Sequence, residues 1–118
     1  MTESSGIFTF PSTGYWYVTF TGSFTYVANE NNAVVQLQTT TDSPTNTWGT
    51  AAAAGQYMFN YASGTIYAGA STSYIFDVTS VSTHKVRFVI SVATATTITR
   101  GATGTNRTFM TFLKLADT

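Results

Sequence analysis

A catalyst needs titratable or nucleophilic side chains that converge, and this chain holds few of them: Glu3, Glu30, Asp42, Asp77, Asp117 and a single His84. They fall on different strands and turns. Ser and Thr are abundant, yet a triad requires His84 and a carboxylate in one cluster, and no nucleophile-elbow spacing occurs. One histidine and no cysteine exclude a His-rich or thiolate zinc site within one chain and a cysteine nucleophile. His84 reads as a turn residue, the alternative being a ring of His84 side chains in a symmetric oligomer. The chain is expected to be no enzyme.

Four motifs could bind instead. Asn29-Glu-Asn-Asn32 offers oxygen ligands of the type calcium prefers, but Asn-rich turns also form because they tolerate left-handed φ and cap their own amides. The backbone reading outweighs calcium, and no cofactor is expected. Asn106-Arg-Thr108 fits a glycosylation sequon, a frequent coincidence in a Thr-rich chain. Gly101-Ala-Thr-Gly-Thr-Asn106 lacks the Lys and following helix of a phosphate loop and reads as a turn. Trp48 could stack on a sugar, against the simpler reading that it pins its long loop onto the body of the protein.

These residues must be positioned by strands. The 118 residues bound one compact domain, 43% of them hydrophobic, which argues for a folded core. Only 8% are charged and the formal net charge is zero, so the basic footprint needed for nucleic acid and the cationic patch needed for a membrane surface are both missing. Met1–Ser5 is too short for a signal peptide, and no apolar stretch is long enough to span a bilayer. Threonine is the strongest compositional signal, 25 residues, beside seven Tyr and nine Phe; these types suit a pleated, half-buried surface. A surface so poor in charge must be wetted by hydroxyls and amides, or partly covered by sister chains.

Apolar/polar alternation bounded by turn residues recurs throughout and predicts strands over 6–10, 15–27, 33–40, 74–78, 85–92, 96–100 and 107–115. Gly22 is expected to mark a bulge or bend in the second. Residues 42–55 are expected to form a loop, and 56–61 with 65–68 a small hairpin. No helical period and no domain boundary is visible, so residues 1–118 form a single all-β domain. Eight or nine short strands suit a two-sheet antiparallel jelly roll or an immunoglobulin-like sandwich.

Gly6-Ile-Phe-Thr-Phe-Pro-Ser-Thr-Gly-Tyr-Trp-Tyr-Val-Thr-Phe20 resembles the opening of the globular head of complement component 1q, a family related to tumour necrosis factor, with Trp16 at its Tyr position and Val18 at its Phe position. Arg107-Thr-Phe-Met-Thr-Phe-Leu-Lys-Leu115 is similar to that family's last strand, with Thr111 in place of a Gly. Tyr74–Val78 followed by Val86-Arg-Phe88 resembles its Val-Leu-x-Leu and Val-x-Val pair. Residues 74–88 and the terminal Phe-Leu-Lys-Leu-Ala-Asp-Thr118 also resemble C-terminal modules of marine bacteriophage fibre-like proteins. The resemblance covers most of the chain, strongest over 6–20 and 74–118. It implies a ten-stranded jelly roll that assembles as a tight trimer, and some relatives bind calcium near loops such as 29–32. Family members place another strand well before the Gly-x-Phe segment. Five residues cannot supply it, so either the inner sheet is one strand short or the chain is a trimmed piece.

The expectation is therefore a two-sheet antiparallel jelly-roll sandwich, assembling as a homotrimer on a virion or outside the cell. Its role would be attachment of a virus or phage fibre to a host-surface receptor or glycan. The alternative is a structural decoration or fibre cap that binds other virion proteins only. Parity assigns Trp16, Val18, Phe20, Val86, Phe88, Ile90, Phe109, Leu113 and Leu115 to the core. Tyr15, Tyr17, Arg87, Val89, Met110 and Phe112 are left outward; the resemblance puts their strands in the sheet that faces the threefold axis, making them the trimer interface. Counting antiparallel reversals back from the last strand gathers Asn29, Glu30, Asn31, Asn32, Ser82, His84, Thr103 and Asn106 at the apex, a neutral surface suited to sugars.

Overall fold

The computed structural model describes residues 1–26, 30–59 and 64–118, and only the backbone of Glu30, Asn31 and Met58. These residues form strands β1 (Thr2–Ser4), β2 (Ile7–Thr9), β3 (Gly14–Tyr26), β4 (Glu30–Thr40), β5 (Gly49–Met58), β6 (Ile66–Val78), β7 (Lys85–Val92), β8 (Ile98–Thr99) and β9 (Phe109–Ala116). Two antiparallel sheets result. One has the order β1-β2-β7-β4-β5; in the other β3 lies between β6 on one side and β8 and β9 on the other. The chain is thus all-β with two stacked sheets, as its composition predicts.

Strand β3 shows why alternation suffices to place a face. Trp16, Val18, Phe20, Gly22, Phe24 and Tyr26 are buried, while the residues of the other parity are partly or fully exposed. Facing them across the sandwich are Ala33, Val35 and Leu37 of β4 and Val86 of β7, all buried. Two clusters form, one around Phe10, Trp16, Leu37 and Phe76 and one around Phe20, Phe24 and Val35, and Phe88 packs against both. Each of the larger side chains contributes about 1.5–3 kcal/mol by leaving water. The inward assignments on β3 and β7 hold.

Several expectations change. Gly22 is neither bulge nor bend, because β3 pairs with β6 without interruption from Gly14↔Val78 to Tyr26↔Ile66. Gly22 is buried, and a Cβ there would lie 2.5 Å from Val35 Cγ1 and 2.9 Å from Phe24 Cζ. The glycine makes room for the opposite sheet. Residues 49–55, expected in a loop, belong to β5, where Ala52 and Ala54 pair with Leu37 and Val35. Strand β6 runs through 69–73, with Ala70 buried opposite Gly22. The hairpin expected from 56–61 and 65–68 does not form as such: β5 pairs with β4 and β6 with β3, and residues 60–63 lie outside the described ones. At the N-terminus an unexpected hairpin joins β1 to β2 through Ser5 (φ 53°) and Gly6 (φ 78°), the paired positive φ of a tight two-residue turn.

The last strand is inverted relative to its expected parity. In register with β3, Phe112 lies opposite Val18 and Met110 opposite Phe20, so both take the inward parity; Phe109, Thr111 and Leu113 point outward. Phe112 packs against the first core cluster, whereas Leu113 is 55% and Leu115 51% exposed. Apolar residues stand on both parities of this strand, so its pattern does not select a face; pairing with β3, and a register irregularity near Tyr15, decide it.

Candidate functional site

The two ends of the sandwich follow from the registers. Gly14, Val78 and Ala116 mark one end, where Lys85, Thr40, Thr9 and Thr2 also align; Tyr26, Ile66 and Glu30 mark the other. Both chain ends lie at the first. The 79–84 turn joins Val78 to Lys85 and so lies there too, beside the 41–48 loop, which it meets through Ser43 N–H donating to Thr83 O. Ser82 and His84 are therefore at the terminal end, opposite to expectation. Residues 30–32 open β4 at the far end; Asn29 and the side chains of Glu30 and Asn31 lie outside the described residues.

Thr103 and Asn106 belong to neither end. Arg100 N–H donates to Ser23 O at 2.8 Å, and the Thr108 hydroxyl accepts from Ser23 N–H at 3.1 Å. The segment between leaves and rejoins the edge of β3 at the same residue. Strands β8 and β9 thus run in one direction along that edge, and the reversal expected between them is absent. The predicted apex cluster is distributed over both ends and one edge.

His84 is held by hydroxyls, with Thr79 Oγ1 3.2 Å from Nε2 and Thr83 Oγ1 3.0 Å from Nδ1, and it stacks on Phe76. No carboxylate among the described residues bonds it. Among those residues no three His, Cys, Asp or Glu side chains come together.

The expected interface set is also divided. Tyr15 and Tyr17 lie on the outer face of the β6-β3-β9 sheet, whereas Arg87 and Val89 lie on the outer face of the other sheet; Met110 and Phe112 take the inward parity, Phe112 packing on the core and Met110 staying exposed at the edge. On the first outer face, register aligns Ile75, Tyr17 and Leu113 in one row, Ser73, Thr19 and Thr111 in the next, and Ser71, Thr21 and Phe109 in a third. No residue in these rows is charged. Ile75 is 54% exposed, and Thr21 and Ser71 hydroxyls meet at 2.8 Å above a shallow groove of about 300 Å³ that Tyr17 and Phe109 border. Sequence reading missed Ile75 and Leu113 as outward residues; the alternation of Ile75 with the core residues Phe76 and Val78 was the signal for the former.

The opposite outer face is mixed: it carries the cations Lys85 and Arg87 and the amides of Gln36 and Gln38, with Ile7 opposite Arg87 and Val89 opposite Gln36. Arg87 Nε donates to Gln38 Oε1 at 2.8 Å, and its guanidinium carbon lies 4.5 Å from the centre of the Trp48 ring. Gln38 Nε2 in turn donates to Gln36 Oε1 at 3.0 Å and more weakly to Thr50 Oγ1 at 3.4 Å. Trp48 does pin its loop, and Arg87 is what it is pinned to. Gln36 and Gln38 were not singled out from the sequence, although their alternation with Val35 and Leu37 puts them on this face. Asp42, within the loop, is committed to the loop itself: its Oδ1 accepts from Thr40 Oγ1 at 2.5 Å and Thr47 N–H at 2.8 Å. The Thr40 bond first, then those from Thr47, hold its carboxyl below the usual carboxylate range.

Comparison of the sequence with models of known protein families and with curated proteins finds no match.

Proposed function

We propose that this chain is the non-enzymatic head of a virus or phage fibre, a jelly roll that assembles as a homotrimer and attaches to a receptor or glycan on the host surface. The observation that carries the reading is the outer face of the β6-β3-β9 sheet, where Ile75, Tyr17 and Leu113 form an apolar row, with uncharged hydroxyl rows on one side and Tyr15 opposite Asp77 on the other. A solvated sheet of ordinary composition would carry more charge than the single Asp77 at its margin, and a contiguous apolar surface of this kind marks an interface. The interface residues are then Tyr15, Tyr17, Ile75 and Leu113. Arg87, Val89, Met110 and Phe112 no longer belong to the set.

The jelly-roll reading is supported by the connections, since the chain changes sheet between β2 and β3, β3 and β4, β5 and β6, β6 and β7, and β7 and β8. Threefold symmetry and the fibre setting rest on the resemblance of residues 6–20 and 74–118.

Light scattering at micromolar concentration is expected to give a trimer, and Leu113→Asp to dissociate it while leaving the strand content unchanged. A stable wild-type monomer overturns the assembly. Binding of the labelled protein to whole host cells or surface glycans supports attachment; binding to virion proteins alone would assign it instead to decoration.

A further inference from the structure

We propose that Arg87, held by Trp48 and Gln38 on the outer face of the five-stranded sheet, binds the carboxylate of an acidic saccharide of the uronic acid type. This site is separate from the assembly surface, which lies on the other sheet.

The first ground is an uncompensated cation. Arg87 is partly buried, yet among the described residues no carboxylate pairs with it; their one ion pair joins Lys114 to Asp117. Asp42 is the acidic residue of the covering loop, and it is turned to Thr40 and Thr47. Lys85 stands two residues away on the same face, its Nζ donating to Val81 O at 2.7 Å. A chain of zero formal charge thus has a cationic patch on one face.

The second ground is orientation. Stacking on Trp48 and the Nε bond to Gln38 restrain a side chain that is otherwise flexible, while the two terminal nitrogens bond no described residue. They form a planar fork, which matches the two oxygens of a carboxylate. The ordering entropy that weakens most surface arginines is thereby spent during folding.

The third ground is the neighbourhood, which favours a sugar. Gln36, Gln38 and Thr50 supply amides and a hydroxyl in one hydrogen-bonded row, the pairing groups for sugar hydroxyls. Beside them Ala53 and Gly55, opposite Gln36 and Val34, keep the surface low. One guanidinium with a single lysine matches a monoanion, whereas a nucleic acid backbone would require a series of cations.

The chain has two tryptophans, and only Trp48 touches Arg87; Trp16 is buried with its Nε1–H on Ser12 O. Titration of the intact protein with glucuronate, followed by the two indole N–H resonances, is therefore expected to move the Trp48 signal saturably and leave Trp16 unmoved. Glucose and acetate, each carrying half of the recognised chemistry, should bind more weakly by roughly tenfold or more. Arg87→Gln should abolish the response, and Arg87→Lys, which keeps the charge but loses the fork, should weaken it by a similar factor. No saturable response to glucuronate overturns the site, as does an undiminished response in a folded Arg87→Gln protein. Acetate or glucose binding as well as glucuronate overturns the acidic-sugar assignment. Leu113→Asp should bind glucuronate normally whatever its oligomeric state, so failure of the assembly reading and failure of this one are distinguishable.

Discussion

Phe112 lies opposite Val18 in the β3–β9 register, and its ring centre stands 5.4 Å from that of Phe8 and 5.8 Å from that of Phe88. The contact ties the last strand of one sheet to the second and seventh strands of the other. Closure of the sandwich along this side depends on it, because β2 is short and β9 is an edge.

Phe112→Ala is accordingly expected to cost about 2–4 kcal/mol, toward the lower end for an aromatic truncation because the ring is only partly buried. Leu115→Ala, at a residue 51% exposed, should cost well under half as much. Urea unfolding of both variants checks the parity of the strand. Equal losses would mean that Leu115 shares the core.

Gly22→Ala should destabilise by about 1–3 kcal/mol, through overpacking and not through backbone strain. Its Cβ would press on Val35 and Phe24 in the second core cluster. Combining it with Val35→Ala should recover part of the loss, a coupling that a double-mutant cycle measures directly.

The 41–48 loop should loosen in acid. The folded Asp42 carboxyl titrates below its unfolded value, so its contribution is present above the ordinary carboxylate range and is lost as pH falls through the folded value. Amide exchange at Thr47, the donor to Asp42 Oδ1, should rise over that range ahead of exchange in β3. In Asp42→Asn the same amide should exchange faster already at neutral pH, with its acid dependence gone.

The 101–106 segment should be dispensable to the fold. Its flanks meet at Ser23, through Arg100 N–H and the Thr108 hydroxyl, so a shorter Gly/Ser link closes the same gap at a small entropic difference. Thermal unfolding is expected to change little on shortening. Thr108→Val, which removes the hydroxyl and leaves Ser23 N–H without that acceptor, should cost about 1 kcal/mol.

What the sequence determined by itself is the class of the fold and the inward face of every strand with a one-sided pattern. Threonine and aromatic abundance with strict alternation at Trp16, Val18, Phe20 and at Val86, Phe88, Ile90 sufficed, because two-residue periodicity and water together leave one orientation. Arg87 and Trp48 were also legible, each as a residue of an unusual type at an outward or loop position. Tertiary structure alone decided the rest. The face of β9 is apolar on both sides, so only pairing with Val18 turned Phe112 inward. The fate of the polar turns depended on strand direction, and a chain that leaves Ser23 and returns to it looks in sequence like a reversal. Arg87 met Trp48 because β7, β4 and the loop between β4 and β5 converge at one end of one sheet. Such contacts between residues distant in sequence arise from registers and crossings, which no local periodicity encodes.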